Sequence, residues 1–173
     1  MSAAVFRTCP ITGRRIDAQA EGLVKACAVV AVVALLVGAL AAVLLVLTRW
    51  QAVHLLPAVW FYRILGVHGM SMLIFFIIFF EMAVLIFAST VLVNARQCAV
   101  KTAWLAFLLM LAGALTVEWM MWAGRADVLF TSYPPLKAHP AFYLGVILFA
   151  VGALNVVGQF FATLVIAKRE RRY

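Results

Sequence analysis

Acidic residues are scarce: six Asp and Glu stand among 173 residues, and charged residues of both signs make up 12%. So little charge excludes an ordinary soluble domain, in which about a quarter of the residues are charged. Cysteine is sparse as well. Cys9, Cys27 and Cys98 are the three present, and none belongs to a CxxC pair. An odd, scattered set excludes a disulfide framework, and the spacings support no cysteine–copper centre, so reduced thiols are expected. Walker and GxGxxG loops are missing, as are HExxH and GxSxG, so nothing marks a self-contained active site. There is no internal repeat, and no Lys/Arg stripe interleaved with aromatics of the kind that binds nucleic acid.

What the chain has in quantity is hydrocarbon. It is 68% hydrophobic with a mean hydropathy of +1.13, which predicts an all-α integral membrane protein. Residues 1–25 form a polar, basic segment too short for a core of its own; Thr8-Cys-Pro-Ile-Thr-Gly13 reads as a turn-rich loop. A single transmembrane domain follows over 26–170, with spans at about 27–48, 65–93, 102–122 and 141–167. Each is long enough to cross about 30 Å of hydrocarbon. The first is expected to be a retained helix, because a secretory apolar region is shorter and no Ala-x-Ala site closes it. Its small residues Ala31, Ala34, Gly38 and Ala42 predict a close-packing face. Pro57 breaks the segment 49–63, whose Trp50, Trp60, Phe61 and Tyr62 form an aromatic belt. Pro134 and Pro135 exclude a regular helix in the outer loop 124–140.

Four spans return both termini to one side. That side holds Arg7, Arg14, Arg15, Lys25, Arg96, Lys101, Lys168, Arg169, Arg171 and Arg172; the other holds Arg49, Arg63, Arg125 and Lys137. The positive-inside rule then predicts N-in and C-in, in the cytoplasmic membrane of the cell. The net charge of +8 is a matter of topology and lipid headgroups.

Against this background His68 stands out. It lies near the start of an apolar run, where an unpaired polar group costs several kcal/mol. Two readings follow: a structural histidine bonded to a neighbouring carbonyl or a propionate, or an axial ligand of haem iron. Gly66 and Gly69 would let a flat macrocycle approach the backbone, and Met72 shares the His68 face one turn on. A single embedded histidine cannot make a bis-His haem, so the second ligand has to come from another chain or a homodimer mate. His54 and His139 fall in outer loops and read as solvated or interfacial. Glu81 is expected as a protonated or hydrogen-bonded group at a helix–helix interface rather than as a proton relay, and Glu118 as a partner of Arg125 or of an Arg on a neighbouring chain. Asn155 and Gln159 are placed to bond a neighbouring helix.

Two stretches resemble a known family. His68-Gly-Met-Ser-Met-Leu-Ile-Phe-Phe76 is similar to the second-helix motif of haem–copper oxidase subunit I. Tyr133-Pro-Pro-Leu-Lys-Ala-His-Pro-Ala-Phe-Tyr-Leu-Gly145 is similar to the outer loop entering helix four in the B-family enzymes. The two keep the family's order and spacing, and the resemblance covers about residues 25–170.

The resemblance implies that His68 is one axial ligand of a low-spin haem of b or a type. It also implies that Tyr133 and Lys137 lie near the haem propionates or the gas-access route; Arg63, just outside His68, is placed to reach a propionate. The family's subunit I has about twelve helices or more, and its second low-spin ligand, high-spin haem and copper histidines lie on the later ones. The expectation is therefore a membrane subunit of a split respiratory oxidoreductase reducing O₂ or NO. A separate polytopic chain would carry the remaining helices and the copper, and a cytochrome c, a cupredoxin or a CuA-type subunit would donate electrons. Two rival readings are a small homodimeric membrane cytochrome b and a non-catalytic structural or assembly subunit.

Overall fold

The computed structural model describes residues 6–127, 133 and 135–170. Pro134 of the outer loop, and Arg171 and Arg172 of the basic tail, fall outside these residues.

The polar start is built as a hairpin. Strands β1 (Phe6–Thr8) and β2 (Arg15–Asp17) pair antiparallel, and the loop between them turns at Gly13, whose φ of 65° suits a residue without Cβ. Asp17 ends the hairpin and begins helix α1 (Ala18–Arg49). Its Oδ1 accepts from the Gln19 N–H, capping one of the orphan donors of the first turn. Its Oδ2 accepts from the Gln97 N–H at 3.2 Å, tying the loop after the second helix to the same end. The helix thus starts nine residues before the expected span, because the sequence offers a good cap there and no breaker after it. Glu21 on its first turn takes both Arg7, at 2.6 and 2.8 Å, and Lys25, at 2.6 Å.

Helix α2 (Ala58–Leu92) is continuous over 35 residues, or about 52 Å at 1.5 Å per residue. That exceeds the hydrocarbon thickness, so it extends beyond the expected 65–93 span at its first end. Pro57 does not lie in a loop away from the helix but at its N-cap, where its missing N–H costs nothing. The aromatic belt Trp60, Phe61 and Tyr62 therefore sits on the first turns of α2. Two stretches of α2 are π-helical, Met70–Phe76 and Ala88–Leu92. Helices α3 (Val100–Trp122) and α4 (Pro140–Arg169) complete the four spans.

The helices pack as two antiparallel hairpins, α1 on α2 and α3 on α4. In the second hairpin the backbones nearly touch. A Cβ on Gly113 would lie 2.5 Å from the Gly145 carbonyl, and one on Gly152 would lie 2.6 Å from that of Ala106. The hairpins meet along an aromatic seam. Phe149 of α4 lies edge-on to Phe75 and Phe79 of α2, at 5.1 and 5.6 Å between ring centres, and Phe79 reaches Phe107 of α3. At the basic end the amides of Asn155, Gln159 and Gln97 form one hydrogen-bonded chain. The Gln159 amide thus meets the loop residue Gln97 and also faces the first turn of α3, where the Ala103 N–H and the Ala99 carbonyl lie 3.1 and 3.3 Å away.

Candidate functional site

His68 lies on α2 just before the first π-helical stretch, half-buried against α1. Its Nδ1 is 2.8 Å from the carbonyl oxygen of Gly38. A carbonyl only accepts, so the Nδ1–H donates and the proton is fixed on that nitrogen. Nε2 is left with its lone pair and has no hydrogen-bond partner among the described residues. This satisfies the structural reading of His68 and at the same time meets the requirement of the ligand reading. A metal-bound imidazole normally donates its second N–H to a carbonyl, which sets the ring's tautomer and orientation and raises its basicity.

Gly38 makes this contact possible. A Cβ there would run into Cγ and Sδ of Met72, and the Met72 backbone nitrogen would be 3.3 Å away. Glycine lets α1 approach the π-helical turn closely enough for the carbonyl to reach the imidazole. Met72 fills the notch, on the same stretch as His68. Gly66 and Gly69 are both buried.

The other embedded polar groups arrange themselves differently from the expectation. Glu118 does not pair with Arg125, which is exposed. Its Oε1 accepts from the Ser71 hydroxyl at 2.6 Å, three residues on from His68, and its Oε2 is buried without a partner among the described residues. The carboxyl borders an apolar cavity of about 300 Å³ between α1, α2 and α3, with Val33, Val37, Phe75 and Ala114 on its walls. Among the described residues Glu81 is not at an interface: it is exposed on the outside of α2.

At the outer end Arg63 lies over the Trp60 ring, 5.0 Å from guanidinium carbon to ring centre. The guanidinium covers Gly124, whose φ of 67° and missing Cβ leave room for it. Arg63, Tyr62 and Asp127 border a cavity of about 530 Å³ there. Tyr133 and Lys137 are exposed on the outer loop, which is pinned by the His139 N–H to the Arg125 carbonyl at 2.8 Å. His139 is not merely solvated; its Nδ1 accepts from the Ala141 N–H and caps α4. Among the described residues no three His, Cys, Asp or Glu side chains come together as a metal cluster.

Sequence reasoning singled out His68 but not its Gly38 acceptor or the Ser71–Glu118 bond. The only available signal for the first was the small residue itself, within the close-packing stripe of α1.

The family described as cytochrome c and quinol oxidase polypeptide I matches residues 22–173. The chain is 34% identical over 99 residues to cytochrome c oxidase subunit 1 of Thermus thermophilus, an alignment covering 57% of this chain and 17% of that protein. It is also similar to a solved heme-copper terminal oxidase dimer, at 27% identity and a TM-score of 0.76, over 89% of this chain and 27% of the other. The chain thus spans about a sixth to a quarter of the length of these relatives.

Proposed function

This chain belongs to the cytochrome c and quinol oxidase polypeptide I family, and from that membership we propose that it is one membrane subunit of a haem–copper oxidase-type respiratory complex. It supplies His68 as one axial ligand of the low-spin haem and completes the helix bundle. A separate polytopic chain supplies the remaining helices, the second axial ligand and the copper site, in the cytoplasmic membrane, and the complex reduces O₂ or NO with electrons from a cytochrome c, a cupredoxin or a CuA-type subunit. The observation that carries this reading is the Nδ1–H of His68 donating to the Gly38 carbonyl with Nε2 left available.

When bound, a haem supplies a one-electron relay whose potential its axial ligands and their hydrogen bonds tune. The residues of this chain then have distinct tasks. Gly38 holds the imidazole in one tautomer, so the ring does not rotate when its other nitrogen is engaged. Met72, seated in the Gly38 notch, packs beside it. Arg63 presents a permanent positive charge at the outer end, suited to a carboxylate such as a propionate. Tyr133 and Lys137 are assigned to the propionate or gas-access side on the family resemblance.

The test is His68→Ala in the complex captured through this chain. The low-spin haem absorbance is expected to disappear, with the polytopic partner still present. A full low-spin band in the variant would sink the proposal.

A further inference from the structure

Glu81 is the unexplained group. It lies near the middle of the 65–93 span, exposed on the outer side of α2, with no hydrogen bond or ion pair to any described residue. Its neighbours on that face are apolar: Ile77, Phe80 and Val84 are 39%, 52% and 48% exposed. Without Glu81 this would be a lipid-facing surface. A carboxyl group facing hydrocarbon at that depth carries a heavy cost, and intramembrane carboxylates almost always face protein or a water-filled cavity. The other embedded carboxylate, Glu118, is turned inward and has a donor in Ser71. Glu81 has none among the described residues.

We propose that the Ile77–Val84 face of α2 is the seam of this subunit. Its occupant is a transmembrane helix of the polytopic partner that sets a hydrogen-bond donor side chain against Glu81. The chain aligns with only 17% and 27% of the length of its relatives, so under the split-complex reading the partner carries the other helices of the bundle and is the chain that can bring this donor. A second copy, which would offer only the same face with its own Glu81, is the outcome that the crosslink below distinguishes. The inference rests on the split-complex reading above and adds where the chains meet and through what chemistry.

The experiment captures the complex through this chain in mild detergent and measures the partner recovered per copy. Wild type, Glu81→Gln and Glu81→Leu are compared. Gln keeps an acceptor and is expected to retain the partner; Leu is expected to lower its recovery about three- to tenfold. Leu at an exposed apolar face leaves the isolated chain intact, so a loss reports the seam. In parallel a photo-crosslinking phenylalanine at Phe80 is expected to label the polytopic partner. Unchanged recovery with Glu81→Leu, or labelling of lipid alone or of a second copy, overturns the seam while leaving the split-complex reading in place. A wild-type capture without any polytopic partner overturns both.

Discussion

Gly38 and His68 are 30 residues apart in sequence, yet one has no side chain so that the other can be held. The Gly38 carbonyl is in the right place only because Met72 and the α1 backbone share the space a methyl group would take. Gly38→Ala is therefore expected to destabilise the chain by about 1–3 kcal/mol through overpacking and to weaken the imidazole bond with it. Adding Met72→Ala should recover part of the loss. The check is a double-mutant cycle on thermal unfolding in detergent, with the haem band followed in the complex. Additive effects of the two substitutions would show that the notch does not work this way. His68 was legible from sequence because an imidazole in an apolar run demands an explanation. Its acceptor was not, because a backbone carbonyl is the same at every residue and only the fold selects one. Glu118 makes the same point. Its proximity to Arg125 in sequence suggested an ion pair, but α3 turns it toward Ser71 on another helix.

At the scale of elements, hydropathy located all four spans but not their ends. Asp17 and Pro57 decide where α1 and α2 begin, and both are local backbone chemistry that apolar runs do not report. The π-helical turns of α2 were invisible as well. Each admits an extra residue into the helix, which rotates everything beyond it by about 100° relative to ideal α-helical counting. Ideal counting places Glu81 about 220° around from His68; the intervening π-helical stretch at Met70–Phe76 removes that simple relation. The close α3–α4 hairpin yields a direct test. At Gly113 even a Cβ would meet the backbone oxygen of Gly145 and the Phe149 nitrogen at 2.6 Å. Gly113→Leu is expected to drive α3 and α4 apart and to cost about 1–3 kcal/mol or more. The check is detergent unfolding combined with protease sensitivity of the 124–140 loop. Wild-type stability in that variant would contradict the observed packing.

For the molecule as a whole, charge and chemistry are divided between the two ends. The hairpin, the 93–99 loop and the end of α4 lie together at the basic end, joined by Asp17 to Gln97 and by the Cys98 N–H to Thr163. His68 and Arg63 belong to the opposite end. The four-span architecture could be read from the sequence, because continuous apolar runs of about 20 residues cross hydrocarbon as helices, whose backbone groups bond within the segment. The proposed partner seam could not, because it depends on which side of α2 the fold leaves uncovered. The central claim is that this chain shares a low-spin haem with a polytopic partner. It is tested most directly by capturing the chain from native membrane, identifying what co-purifies by mass spectrometry and recording a reduced-minus-oxidised spectrum of the same sample. The account predicts a histidine-rich polytopic chain together with a b- or a-type haem band. A haem band with this chain alone would contradict it in favour of a homodimeric cytochrome, and a complex free of haem would leave His68 with only its structural bond to Gly38.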